Sequence, residues 1–183
     1  MFSRTRRHLL APIFLLLVAC SVAPGQAESG IPATPDGLRQ FIEEQGHDGW
    51  VVQVEGNSPM LLFLDEDYHL YSCPAGQAVD AAAKASCKKN AAGFIGALLD
   101  VSDAGALYCA RTSHTVSNPD GHVGSICVSQ ADFKWSFPDP ANPEATLTHQ
   151  IRVGVPVYIL MERATETTLM AADLRSVKLR PSP

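Results

Sequence analysis

Ala106-Leu-Tyr-Cys-Ala-Arg111 and His122-Val-Gly-Ser-Ile-Cys-Val128 are two strand-like runs joined across Ser117-Asn-Pro-Asp-Gly121, and their reading decides the class of fold. Val, Ile and Tyr favour a pleated chain, whereas Asn-Pro-Asp-Gly holds the residues that a turn selects, so the stretch predicts an antiparallel hairpin. The midpoint between Cys109 and Cys127 is residue 118, inside that turn. Positions equidistant from a hairpin turn face each other across the strands, which pairs Cys109 with Cys127. Cys73 with Cys87 follows by elimination, tying a strand end to the helix after it. Each bond closes a loop worth about 3 kcal/mol in the chain-entropy model. Neither a redox pair nor a zinc site is read here, because the chain has no C-x-x-C spacing.

Outward from the hairpin the pattern alternates in the same way. Thr34-Pro35-Asp36 reads as an N-cap followed by proline, with Leu38, Phe41 and Ile42 at helical spacing and Gly46 as the stop, which predicts a helix over 35–45. Strands are expected over 50–54 and 60–64 around a turn at 55–59, and a third over 68–73. The alanine-rich run 78–90 predicts a helix. Residues 91–99 fit either a short helix or a strand, since Gly93 and Gly96 blur the period. On the C-terminal side, Phe133, Trp135 and Phe137 share one face of an expected strand over 131–137, and residues 138–143 form a proline-rich loop. Strands over 146–153 and 155–161, a helix over 165–174 and a closing strand at 177–179 complete the reading. The class is α+β, a mainly antiparallel sheet with two or three helices in a single domain stapled by two disulfides.

At the N-terminus Arg4, Arg6 and Arg7 precede an apolar run from Leu9 to Ala19, which is too short to span a bilayer as a permanent helix. Leu17-Val18-Ala19-Cys20 resembles the lipobox of bacterial lipoproteins. The resemblance implies removal of residues 1–19, acylation of Cys20 (palmitate among the chains) and attachment to a membrane of the cell envelope. Ser21, where an aspartate would signal inner-membrane retention, implies the outer membrane, facing the periplasm. Each buried methylene adds about 0.8 kcal/mol to attachment, so two or three chains hold permanently. Gly25-Gln26-Ala27 offers the competing outcome, ordinary cleavage after Ala27 and release of a soluble protein. Residues 20–34 read as a tether, too rich in Pro, Gly, Ser and Ala to order themselves. Residues 35–180 then form one domain.

Loss of residues 1–19 removes three arginines and no acid, taking the formal charge from −5 to −8. Such a chain lacks the clustered cations that nucleic acid requires, and its acidity suits a basic protein partner. No cofactor motif is found: there is no P-loop, dinucleotide fingerprint, H-E-x-x-H or G-x-S-x-G elbow. The densest polar stretch is Asp65-Glu66-Asp67-Tyr68-His69. On a strand, Asp65, Asp67, His69 and Tyr71 would share a face and could hold a metal or act as acid and base, against the plainer reading of an acidic turn. A second cluster is His114, Asp120 and His122 around the disulfide hairpin, with Arg111 beside it. His47, next to Asp48 and Trp50, reads as a packing residue.

These features predict a non-enzymatic, lipid-anchored envelope protein that binds another protein. An inhibitor or immunity protein against a basic cell-wall enzyme, acting through Asp65, Glu66 and Asp67, is the concrete form. The alternatives are an assembly lipoprotein of an envelope complex, and a metal-dependent or hydrolytic enzyme using Asp67, His69 and His114.

Overall fold

A computed structural model describes residues 30–53, 58–75, 80–89, 93–113 and 121–177. Cys20, His114 and Asp120 lie outside the described residues, as do the signal region and most of the expected tether. In chain order the elements are α1 (Pro35–Gln45), β1 (Trp50–Val52), β2 (Met60–Leu64), β3 (His69–Pro74), α2 (Ala81–Lys89), β4 (Phe94–Ala97), β5 (Ser102–Ala104), β6 (Leu107–Arg111), β7 (His122–Ser129), β8 (Phe133–Asp139), β9 (Asn142–Ile151), β10 (Val157–Glu162) and β11 (Thr168–Ser176). None of the described helices is long and apolar enough to cross a membrane.

Nine strands make one sheet in the order β4-β3-β2-β1-β11-β10-β7-β6-β5, and each adjacent pair is antiparallel. The sheet also meets itself. Leu98, just after β4, bridges Thr112, just after β6; the Leu99 N–H donates to the Arg111 carbonyl at 2.8 Å and the Ser113 N–H to that of Ala97 at 2.7 Å. β4 and β5 are therefore two halves of a seam that runs from β3 across to β6, and the sheet closes into a barrel.

Closure gives the strands an inside. Trp50, Leu62, Leu70, Ile126 and Tyr158 point into it, each with 0% exposure. α1 closes one end, inserting Leu38, Phe41 and Ile42 into the same core, with Phe41 stacked 5.5 Å from Trp50. Thr34 caps that helix as its sequence implies, its Oγ1 accepting the Gly37 N–H at 3.0 Å. Gly124 makes room for the Tyr158 ring: a Cβ there would lie 2.9 Å from the Tyr158 hydroxyl and 3.0 Å from Ile95 Cγ2. Burial pushes that hydroxyl well above the ordinary tyrosine range. The interior is thus packed side chain, as small barrels require.

Two further elements cover the outside. The β8–β9 hairpin lies over β6, β7, β10 and β11, with Phe133, Trp135 and Phe137 packed toward Val157, Ile159 and the disulfide Cys109–Cys127. Those cysteines stand directly opposite each other, Cα atoms 4.2 Å apart, so the sequence pairing holds. α2 lies over β2 and β3 near Leu61 and Phe63, and Cys73–Cys87 ties it there with Cα atoms 6.1 Å apart. The chain before α1 is attached as well: the Ile31 N–H donates to the Gly154 carbonyl at 2.8 Å, and Gly154, at φ +71°, leaves 2.7 Å between a would-be Cβ and the Ile31 oxygen.

Several local expectations are corrected. The run 165–174 is not helical: from Thr168 it is strand β11, because its two neighbours β1 and β10 supply ladders on both sides and outweigh the helix propensity of Met170, Ala171 and Ala172. Residues 138–143 are no long loop: Pro138 lies within β8, one residue before its end, and Pro143 within β9, one residue after its start, both on a two-stranded sheet whose outer edges tolerate a missing N–H. The run 91–99, open between helix and strand, contains strand β4, and β5, three exposed residues long, has no counterpart among the expected elements. Eleven strands and two helices are found among the described residues.

Candidate functional site

The β2–β3 turn is where polar chemistry and open space meet. Asp65, Asp67 and His69 come together there, each offering a ligand atom within 4.8 Å of the others. They converge through a tight turn, since Asp67 lies outside both strands. Asp65 is the organiser. Its Oδ1 accepts the backbone N–H of Asp67 at 3.0 Å and of His69 at 2.9 Å, and its Oδ2 lies 3.2 Å from His69 Nδ1. Burial works against the ionised carboxylate, but these hydrogen bonds outweigh it and hold the Asp65 pKa below the usual range. A carboxylate so engaged caps the hairpin, as the acidic-turn reading expects, and it also interacts with the Tyr71 hydroxyl, whose pKa burial and this carboxylate together raise.

Two consequences of this turn were not legible in the sequence. Tyr68 is held in the left-handed region at φ +58°, a conformation costing an L residue about 1–2 kcal/mol, and the residue is left 41% exposed. Beside it opens a cleft of about 580 Å³ between the turn and α2. Phe63 and Leu64 form its floor, Lys84 and Lys88 one wall, Asp65 and Glu66 the other. Lys84 Nζ donates to the His47 carbonyl at 2.5 Å and sits 5.5 Å from the centroid of the Phe63 ring. Burial lowers its pKa, against an opposing pull from Asp48. His47 packs edge-on to Tyr68 at 5.6 Å, the packing role its sequence position implies.

Tyr68 also lines a second cleft, of about 160 Å³, together with Arg39, Glu43 and Leu99. Leu99, 54% exposed, then borders a third, of about 240 Å³, with Arg111, Met161 and Arg163. Shared residues make the three clefts one continuous surface along the barrel seam. In the second cleft Arg39 is engaged: its Nε reaches Asp100 at 2.7 Å and its Nη1 reaches Asp36 at 2.7 Å.

Of the second cluster singled out in the sequence, only His122 and Arg111 are among the described residues, and Arg111 lines the third cleft. His122 opens β7 opposite Glu162, whereas Asp65 and Glu66 line the cleft beside α2. Phe133, Trp135 and Phe137 are core for the β8–β9 hairpin, with Trp135 Nε1 donating to Thr168 Oγ1 at 3.3 Å. No protein-family model matches the chain, and no curated protein or solved structure is significantly similar to it.

Proposed function

We propose that this chain is a lipid-anchored protein of a bacterial envelope, held to the outer membrane through acylated Cys20, whose barrel binds another protein in the periplasm. The observation that carries the binding half is the run of three clefts joined by Tyr68 and Leu99. Exposed large apolar side chains are ordinary when scattered, but two that link adjoining concavities form the kind of patch that anchors a partner. The acidic charge of the mature chain and the lipobox at residues 17–20 supply the rest. An inhibitor or immunity protein acting on a basic cell-wall enzyme fits these properties, and so does a supporting subunit of an envelope assembly.

Two experiments test this reading. Mass spectrometry of the mature N-terminus should find a lipid-modified peptide beginning at Cys20; a free peptide beginning at Glu28 defeats the anchor. Crosslinking in producing cells followed by affinity purification should recover a partner with the native chain and lose it with Leu99→Asp. Equal recovery from both would place the partner elsewhere. A secreted enzyme among the captured proteins selects the inhibitor, resident envelope proteins the assembly factor.

A further inference from the structure

We infer that the cleft surface centred on Tyr68 receives an extended, cation-bearing segment of a partner protein, with a Lys or Arg side chain seated over the Tyr68 ring between Glu43 and Glu66. The inference rests on the protein-binding reading above and gives it a place and a chemistry. Three observations lead to it. Tyr68 is 41% exposed and lines both the larger cleft beside α2 and the smaller one beside α1. An aromatic face presented in this way attracts a cation, and the cleft on either side gives the neighbouring residues of a segment room to lie extended.

Charge compensation decides the sign. Arg39 is neutralised by Asp36 and Asp100, and Lys84 is turned toward the His47 carbonyl and the Phe63 ring. Glu43 lines the small cleft and Glu66 the large one, and neither side chain has a hydrogen bond or ion pair among the described residues. Two uncompensated carboxylates therefore flank an exposed aromatic ring. Lys88, at the far wall of the large cleft, is placed to meet an acidic or carboxyl-terminal group of the same segment. The turn conformation keeps this arrangement in place, because Asp65 holds the backbone that projects Tyr68 outward.

The test uses the mature chain and two probes, acetyl-Lys-Leu-Lys-Leu-Lys-amide and its glutamate counterpart, followed by nuclear magnetic resonance. The cationic peptide should shift the resonances of Tyr68, Leu99 and Ala81, weaken with added salt, and bind more tightly than the acidic one. Tyr68→Asn, which suits a left-handed backbone, should lower affinity about fivefold, and Tyr68→Phe should retain it. Glu43→Gln with Glu66→Gln should lower affinity and flatten the salt dependence. Preferential binding of the acidic peptide, or shifts confined to the opposite end of the barrel, would overturn the inference. Capture of a cellular partner that survives Tyr68→Asn overturns it too, while leaving the broader protein-binding reading intact.

Discussion

The two outer covers of the barrel are built on opposite principles. The β8–β9 hairpin brings its own core: Phe137 and Ile151 are buried, Phe133 and Trp135 pack beside them, and the Cys109–Cys127 bond beneath is almost fully enclosed. Its flank is pinned further where His149 Nε2 lies 2.9 Å, and Arg152 Nη2 2.5 Å, from the Asp173 carboxylate. α2 brings almost nothing. Cys87 is its only buried residue, so beyond the disulfide it is held chiefly by the stem and ammonium of Lys84. A cover that buries apolar surface is stabilised by that burial, whereas one that does not depends on its covalent tie. The candidate cleft lies under the second kind, where a wall can adjust to an occupant.

This contrast can be broken at four points. The largest effect belongs to Phe137→Ala, expected to cost about 3–4 kcal/mol through lost burial and the cavity left behind, measured by urea unfolding of the mature chain. A cost below about 1 kcal/mol would mean the hairpin is an appendage. Replacing Cys109 and Cys127 together by serine should cost about 3 kcal/mol and lower the whole unfolding transition.

Asp173→Asn comes next, at about 1–2 kcal/mol near neutral pH, since it removes a carboxylate, partly buried, that Arg152 and His149 both contact. Burial opposes ionisation of Asp173, yet the bonds from His149 and Arg152 outweigh it and lower its pKa in the folded state. Stability from this group is therefore complete above the unfolded aspartate value of about 3.9 and is lost as pH falls through the lower folded value. The gap between native chain and variant should close on acidification over that window.

The smallest global effect is expected from serine at both Cys73 and Cys87, about 1 kcal/mol, because a released α2 recovers chain freedom in the native state. Its local effect should be large. Amide exchange across residues 81–89 should approach that of an exposed peptide while the barrel strands keep their protection, and the Tyr68 cleft should lose one wall. If α2 stayed protected, the disulfide would not be its principal tie.

Legibility in the sequence followed the range of the interactions. The Cys109–Cys127 hairpin, the Thr34 cap with Pro35, the alternating aromatics of β8 and the alanine-rich α2 all rest on neighbours a few residues away, and each was read correctly. Residues 168–174 carry a helix expectation that the strand β11 replaces, because their helix propensity is local while the ladders from β1 and β10 are set by the tertiary fold. The candidate site was half legible. Asp65, Glu66, Asp67 and His69 stood out by composition, but Tyr68, Leu99, Glu43 and Lys84 acquire meaning only from the clefts they share, and those are made by elements far apart in the chain.

The amino-acid sequence alone determined the class of fold, both cysteine pairings and the limits of α1, because caps, turns and alternation are properties of short stretches. Closure of the barrel at Leu98 and Thr112, the conversion of residues 168–174 to strand and the joining of three clefts around Tyr68 were decided by tertiary structure. Each depends on a pairing between distant segments, where free energy gained by burial and ladder hydrogen bonds exceeds any local preference.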